Sequence, residues 1–475
     1  MPFDRRGFLR LAAGAVVVGG GAAAYRVLEH GGGSPVEGDV RAFVSRPDLR
    51  PPRVTVLHGG DTANGLLFMA PSEGPGQRGT LIADDTGEPV WFHPTSSPAM
   101  NFRPAVYQGR PVLTWWQGST AHGLGDGTHI VVDRSYRELL RFPAGHGLPS
   151  DLHELQLTPQ GTALVTSYQD TNADLTAFGG ARNGRVIGGI VQELELATGK
   201  VLFEWRSLDH VALDESHAKL QDPWDYFHVN SIDVAADGNL IVSARNTWGV
   251  YKLDRSTGNM LWRLGGKRSD FALGPGVRFA WQHDAREHDD GRTLTLFDDG
   301  ARPQVEKQSR ALVLALDERN MRAALARSYT HQPSVLAVAL GSMQVLPNGN
   351  VLVGWGTAPY VTEYSSDGHV LFDARLPVGG QNYRAYRLQW TGEPAEPPRL
   401  AASVGGLYAS WNGATEVDAW QLESGSGATR LDRVATTPRQ GFETRLAAPA
   451  GVRYARAVAL GARGRALGTS AVVAV

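Results

Sequence analysis

The chain of 475 residues contains no cysteine. It therefore forms no disulfide, and both thiolate catalysis and thiolate metal ligation are excluded. Lysine is scarce, because only five of the 46 basic residues are lysine and the rest are arginine. The net charge is −2, so no basic excess indicates a nucleic acid or an anionic membrane surface as a partner. We expect no nucleic-acid binding.

A long hydrophobic run is also missing near the N-terminus. The apolar stretch at residues 11–25 is shorter than the ~20 residues that a comfortable membrane span needs. It follows Arg5 and Arg6, and a twin-arginine pair before a short, Gly-rich apolar stretch resembles a Tat export signal. Residues 1–25 are therefore predicted to engage the Tat translocase. The expected location is periplasmic, extracellular or tethered to the membrane through an uncleaved signal.

Two kinds of turn alternate along residues 53–390, which follow a Gly- and Pro-rich linker at residues 26–52. The first kind comprises Gln108-Gly109, Gln160-Gly161, Asp237-Gly238, Asp290-Gly291 and Asn348-Gly349. The second kind comprises Thr86-Gly87, Ser135-Tyr136, Thr198-Gly199, Thr257-Gly258, Asp317-Glu318 and Asp367-Gly368. Each period thus holds two hairpins, and repeated four-stranded units predict an all-β fold with a six-bladed β-propeller. The first inner hairpin, near Gly65, is poorly marked.

A second, smaller unit follows the propeller. Residues 391–399 form a Pro-rich linker, which predicts few contacts between the two units. Residues 400–475, the C-terminal module, have strand patterning with Trp411 early and Tyr454 late. This pattern resembles a fibronectin type III β-sandwich, with a core Trp and a corner Tyr. We expect the module to offer a site for a cell-surface or carbohydrate partner.

Three histidines occupy matching positions in successive repeats. His153, His228 and His283 precede the Gly of their inner turns by 8, 10 and 8 residues. Equivalent positions converge when repeats close into a ring. Asn230 lies two residues after His228, and Arg245 lies on the returning strand of the same hairpin. We therefore predict one site that contains all five side chains.

These residue types leave several chemistries open. Three imidazoles suit a zinc ion with an open water position, but an arginine in the same pocket opposes a cation. Arg, Asn and His suit an anion, and a neutral imidazole is a nucleophile toward phosphorus or sulfur. Phosphoryl or sulfuryl transfer therefore fits the set, and no P-loop is present. An exported propeller that binds an anionic or sulfated ligand, or a surface partner, without turnover is the alternative.

Several longer segments resemble the arylsulfotransferases, which use an aryl sulfate instead of a nucleotide as the donor. These segments are Asp225–Asp233, Asp237-Gly238-Asn239 through to Arg245, Trp262–Lys267, Gln282-His283-Asp284 and Leu296–Gly300. The resemblance implies a six-bladed propeller and a covalent sulfohistidine. It implies aryl sulfate and phenol as substrates, with no metal or organic cofactor. The lack of cysteine and the C-terminal module are departures that suggest a second branch of the family.

The resemblance also implies a role for each site residue. His283 is the expected nucleophile. His228, Asn230 and Arg245 are expected to hold the sulfuryl oxygens. His153 is expected to assist the phenolic oxygen.

Overall fold

The computed structural model describes residues 38–475, and these residues form an almost entirely β structure. The predicted Tat signal and the start of the first linker, residues 1–37, lie outside the described residues. Within the described part, helix is limited to Ser207–His210 and to the single 3-10 turns Thr176–Phe178, Leu213–Glu215 and Ala462–Gly464. None of the described helices has the length and apolar character required to cross a membrane.

Six sheets of four or five strands make up the described chain between residues 55 and 388. We number them 1 to 6 and give the strands of each from the inner to the outer edge. Sheet 1 comprises Tyr386–Leu388, Leu66–Met69, Gly79–Ala83 and Pro89–Pro94. Sheet 2 comprises Ala99–Tyr107, Arg110–Ala121, Leu124–Val132 and Glu138–Phe142. Sheet 3 comprises Leu155–Leu157, Thr162–Ala173, Gly184–Glu195 and Lys200–Arg206, and Trp224–Asp225 pairs in parallel with the third strand.

The remaining three sheets repeat this plan. Sheet 4 comprises Val229–Val234, Leu240–Ala244, Gly249–Leu253 and Met260–Gly265. Sheet 5 comprises His283–His288, Thr293–Asp298, Arg310–Asp317 and Arg322–Tyr329, with Ala272–Leu273 at its outer edge. Sheet 6 comprises Ser342–Val345, Val351–Gly354, Tyr360–Tyr364 and Val370–Arg375, with Thr55–Gly59 outermost. A short ribbon pairs Pro71–Glu73 with Gln381–Asn382.

The six sheets form a closed ring. The inner strands of neighbouring sheets contact one another in sequence order, and sheet 6 contacts sheet 1. The ring is closed by strands from distant parts of the chain, because Tyr386–Leu388 pairs with Leu66–Met69 in sheet 1. Sheet 1 therefore takes its innermost strand from the end of the repeat region, which explains why no inner hairpin was evident near Gly65. This arrangement is propeller-like.

The turns predicted from Gly, Asp and Asn lie where the sequence placed them. Gln108-Gly109, for example, joins two paired strands of sheet 2, and Thr257-Gly258 joins two paired strands of sheet 4. One turn is displaced, because Asp317 still pairs with Arg322 and the turn lies beyond it. Most of these turn glycines have φ between +73° and +98°, which Gly adopts without steric cost.

The C-terminal module consists of two sheets around one core. The first sheet comprises Arg399–Ser403, Gly406–Ser410 and Glu443–Leu446. The second comprises Arg430–Pro438, Ala419–Gly427, Tyr454–Leu460, Ala466–Thr469 and Val473–Ala474. The expectation that Trp411 is the core tryptophan is wrong. Trp420 is 2% exposed at the centre of this core, whereas Trp411 is half-buried at its edge.

The prediction of few contacts between the ring and the C-terminal module is also wrong. Phe442 of the module is buried in a core that it shares with residues of the six-sheet ring. The centre of its phenyl group lies 4.2 Å from that of Phe43. The side chain of Asn412 accepts from the Phe92 amide and donates to the Phe92 carbonyl, both at 2.9 Å. The Tyr136 hydroxyl donates to the Gly413 carbonyl at 2.7 Å. The composition of the linker does not indicate this packing, because the contacting residues lie outside the linker.

Candidate active site

The three histidines lie together at the inner edges of sheets 3, 4 and 5. The ring centres of His153 and His228 are 4.9 Å apart, and those of His153 and His283 are 6.4 Å apart. All three side chains are buried. The inner-strand spacing in the sequence therefore placed these residues correctly in one cluster.

Each of these imidazoles is held by a carboxylate at Nδ1. Asp151 Oδ2 lies 2.5 Å from Nδ1 of His153, and Asp299 Oδ2 lies 2.7 Å from Nδ1 of His283. Asp225 Oδ2 makes the same contact with His228. A carboxylate at Nδ1 fixes the ring orientation and favours the proton on that nitrogen. Nε2 is then the nitrogen that carries the lone pair in each neutral ring.

Burial controls protonation in this cluster. It holds the pKa of His283 well below the usual value, and the nearby charge of Arg245 acts in the same direction. Burial also lowers the pKa of His153, against the opposing charge of Asp151. The pKa of Asp299 is raised well above its usual value by burial, although the charge of Arg245 opposes this shift. His283 is therefore a neutral imidazole at neutral pH.

Arg245 brings a cation to this neutral ring. Its backbone amide donates to the His228 carbonyl at 2.9 Å, which fixes the residue opposite that histidine. Its guanidinium lies 4.8 Å from the ring centre of Trp281 and donates to the Val338 carbonyl at 3.2 Å. Its buried Nε has no hydrogen-bond partner among residues 38–475. This N–H is a free donor on a cation, and such a donor is suited to an anionic ligand.

Asn230 lies between the second and third histidines. Its side-chain amide donates to the Gln282 carbonyl at 2.6 Å, next to His283, and its buried Oδ1 has no partner in the part of the chain that the structure describes. The strand is irregular here, because the pairing of Val229 with Ala244 shifts register before Ser231. Such bulges redirect side chains and are frequent next to active sites.

Three non-glycine residues with left-handed backbone lie in the same region. His228, Trp281 and Asp284 have φ values of 58°, 60° and 58°. Non-glycine residues seldom adopt this left-handed conformation, which costs about 1–3 kcal/mol and persists where surrounding contacts enforce it. His228 lies just before the strand Val229–Val234. The alternation of side chains along a strand therefore does not determine the direction of its imidazole.

The sequence did not reveal Tyr383 and Arg384, which join the site from the closing segment. The Tyr383 hydroxyl lies 3.1 Å from the carbonyls of both His153 and Asn230. Arg384 donates to the Asn230 carbonyl at 2.9 Å and is paired with buried Glu154 at 3.1 Å. No repeat spacing points to these residues, because they follow the last repeat.

Asp299 was also missed, because Asp298-Asp299-Gly300 has the composition of a turn. His217, another residue that the sequence did not point to, is half-buried beside this site. Its ring stacks on Trp248 with centres 3.6 Å apart and an angle of 3°. Trp248 in turn lies edge-on to Trp281 at 5.1 Å, so an aromatic wall extends from the Arg245 side of the cluster.

The structure therefore brings His153, His228, Asn230, Arg245 and His283 into one buried cluster. In the described chain, no group of three or more His, Cys, Asp and Glu side chains is arranged to hold a metal ion. The cluster combines a neutral imidazole, a fixed cation and unfilled polar atoms. This combination suits attack on an anionic, electrophilic group.

Comparison with known proteins gives one family match. The family model described as "Arylsulfotransferase (ASST)" matches residues 103–376, which include all five cluster residues. No curated protein sequence matches the chain. A solved protein of unknown function from Bacteroides caccae is similar at 15% identity, with 68% of this chain and 98% of that chain covered and a TM-score of 0.42.

Two further solved structures are similar at a lower level. A catalytically inactive virginiamycin B lyase from Staphylococcus aureus has 8% identity, covers 76% of this chain and 97% of its own, and gives a TM-score of 0.36. The Dos1 propeller has 12% identity, covers 72% and 74%, and gives a TM-score of 0.33. Similarities at this level do not bear on the function of this chain.

Proposed function

Because the chain belongs to the arylsulfotransferase family, we propose that it is an exported enzyme that moves a sulfuryl group from an aryl sulfate to a phenol. The six sheets are then the six blades of a propeller, followed by a small β-sandwich. The proposed intermediate is a covalent sulfohistidine, and no nucleotide donor takes part. The observation that carries the proposal is the neutral, buried imidazole of His283, oriented by Asp299 and adjacent to Arg245.

In the first half-reaction, the Nε2 lone pair of His283 attacks the sulfur of the donor. The N–S bond forms, the S–O bond to the aryl group breaks, and the phenolate leaves with the electron pair. The imidazole becomes cationic, and Asp299 at Nδ1 stabilises that charge. Neutral His153 carries its proton on Nδ1 beside Asp151, so the phenolate leaves as the anion and His153 assists the phenolic oxygen of the acceptor in the second half-reaction.

In the second half-reaction, a phenol oxygen attacks the same sulfur. The N–S bond breaks, its electron pair returns to His283, and the phenolic proton passes to a neighbouring base such as His153. Arg245 holds the sulfuryl oxygens in both steps, and the second amide N–H of Asn230 and Nε2 of His228 in its protonated form are the other donors to these oxygens. Their charges and dipoles are fixed before reaction, and preorganised electrostatics of this kind is often the largest contribution to catalysis.

The decisive experiment is a search for the intermediate. The protein is incubated with a chromogenic aryl sulfate without acceptor and analysed by peptide mass spectrometry at neutral or alkaline pH, because the N–S bond is acid-labile. We expect one sulfuryl group on His283. The variant His283→Ala loses both the adduct and transfer to phenol. His288→Ala, a matched control on the same strand and outside the cluster, retains both.

Other outcomes identify the competing functions. Saturable binding of an aryl sulfate without phenolate release indicates a non-catalytic propeller that binds an anionic ligand. Activity that disappears with a chelator and returns with zinc indicates a metal-dependent hydrolase. Full transferase activity in His283→Ala contradicts the covalent mechanism.

Export through the Tat pathway is a separate part of the proposal. Arg5 and Arg6 precede the short apolar stretch at residues 11–25. Conversion of both to lysine keeps their charge but removes the arginine pair on which such signals depend. We expect the precursor of this variant to accumulate inside the cell, whereas unchanged export contradicts the assignment.

A further inference from the structure

A cavity of about 610 Å³ lies between the ring and the C-terminal module. It is lined by residues of sheets 1 and 2, by the linker prolines Pro394 and Pro397, and by Trp411 of the module. None of the five cluster residues lines it. We call it the junction cavity. Its volume lies within the ~300–1,000 Å³ typical of small-molecule sites, which occur preferentially between domains.

Aromatic rings form much of the wall of the junction cavity. Trp91 stacks between Tyr136, at 4.7 Å and 17°, and His93, at 5.8 Å and 7°. Trp115 lines the same space and is 4% exposed. On the opposite side, the Trp411 Nε1 donates to the Glu396 carbonyl at 2.6 Å, which fixes the indole against the linker. Trp91 and Trp115 are 5% and 4% exposed and therefore back the wall, whereas the half-buried indole of Trp411 provides a flat, oriented surface on which an aromatic ring can stack.

The junction cavity is lined by more positively charged than negatively charged side chains. Four guanidinium groups line it, whereas only three carboxylates do: those of Asp48, Glu138 and Glu396. Two of the arginines are paired, Arg46 with Asp48 and Arg141 with Glu138, each at 2.7 Å. The guanidinium groups of Arg137 and Arg399 donate to no side chain or carbonyl in the described part of the protein, and both residues are exposed at the cavity. An unpaired guanidinium beside aromatic faces favours an oxyanion over a neutral ligand.

We propose that the junction cavity is a second binding site, and that its ligand is an aromatic anion, a flat aryl ring bearing a sulfonate, sulfate or carboxylate group. The aryl ring of the ligand stacks on the Trp411 indole, and its acidic group pairs with Arg137. The inference stands on the cavity alone and does not depend on sulfuryl transfer. The site joins the ring to the C-terminal module, so its occupancy also strengthens the contact between them.

The test uses 2-naphthalenesulfonate, whose sulfur is bonded to carbon and is not transferable. Isothermal titration of the full chain is expected to show saturable binding. Arg137→Gln is expected to weaken the affinity about ten-fold or more, because it removes a charge-assisted hydrogen bond. Arg110→Gln is the matched control, since Arg110 is an exposed arginine of the same sheet that does not line the cavity. Its affinity is expected to equal that of the unaltered chain.

Two further arms complete the experiment. His283→Ala is expected to bind the probe with unchanged affinity, whether or not the proposed transferase activity exists. Neutral 2-naphthylmethanol is expected to bind at least about ten-fold more weakly than the sulfonate. The proposal is overturned by an absence of saturable binding, by equal affinity of Arg137→Gln and Arg110→Gln, or by equal affinity for the neutral probe. Loss of binding in His283→Ala overturns it as well, because the probe then occupies the histidine cluster.

Discussion

Replacement of Asp299 by Asn tests how the proposed nucleophile, His283, is supported. The change removes a carboxylate 2.7 Å from Nδ1 of His283 while it preserves side-chain volume. The backbone carbonyl of Asp299, which accepts from the Ser309 hydroxyl at 2.7 Å, is unaffected. The substitution therefore isolates the interaction between the side chain and the imidazole.

The expected loss follows from the charge that develops on the ring. In the proposed mechanism the imidazole becomes cationic when the N–S bond forms, and a hydrogen bond from a charged group to a carboxylate contributes about 1.5–3 kcal/mol. At about 1.36 kcal/mol for each factor of ten, adduct formation slows about ten- to 150-fold. Burial raises the pKa of Asp299, so its carboxylate is itself destabilised in the resting site. We therefore expect the lower end of this range.

The assay is the single-turnover release of phenolate from a chromogenic aryl sulfate, measured by stopped-flow absorbance. Asp298→Asn is a demanding control, because Asp298 is equally buried but pairs with Arg310 instead of His283. It should lower thermal stability without slowing phenolate release per folded molecule. A rate for Asp299→Asn within about two-fold of the original would refute the argument that this carboxylate stabilises the reacting imidazole.

Further predictions concern the cation, the pH dependence and the junction. Arg245→Ala should slow adduct formation by about 100-fold or more, because its charge acts mainly on the transition state, and rapid-quench measurements would show it. Burial lowers the pKa of His283, so the acid limb of the rate of adduct formation should lie well below pH 6.5; a limb at or above that value contradicts the assignment. Phe442→Ala should lower the free energy of unfolding by about 3–5 kcal/mol in urea titrations, since this ring is buried in a core shared with the propeller-like ring. A change below about 1 kcal/mol would show that the two units are energetically independent.

Much of the fold follows from local sequence features. Turns such as Gln108-Gly109 and Thr257-Gly258 are set by residues that adopt left-handed backbone, and their spacing alone indicates repeated four-stranded sheets. The same spacing identified His153 and His283 as equivalent positions. These features can be predicted from the sequence because each depends on interactions within one hairpin.

Other features depend on contacts between distant residues. The closing strand Tyr386–Leu388 pairs with Leu66–Met69 across more than 300 residues, and no local pattern encodes that pairing. Its position brings Tyr383 onto the carbonyls of His153 and Asn230. A repeat pattern ends where the ring closes, so the sequence could not reveal this part of the site.

The histidine cluster likewise has some features that follow from local sequence and others that depend on contacts between distant residues. Sequence alone determined which imidazoles, amide and guanidinium gather at the inner strands, because repeat position decides that. Only the tertiary structure decided that Asp299, from a segment with the composition of a turn, occupies Nδ1 of His283, and that burial keeps this ring neutral. Protonation and orientation depend on desolvation and on neighbours brought together by folding, and neither is a property of one stretch of sequence.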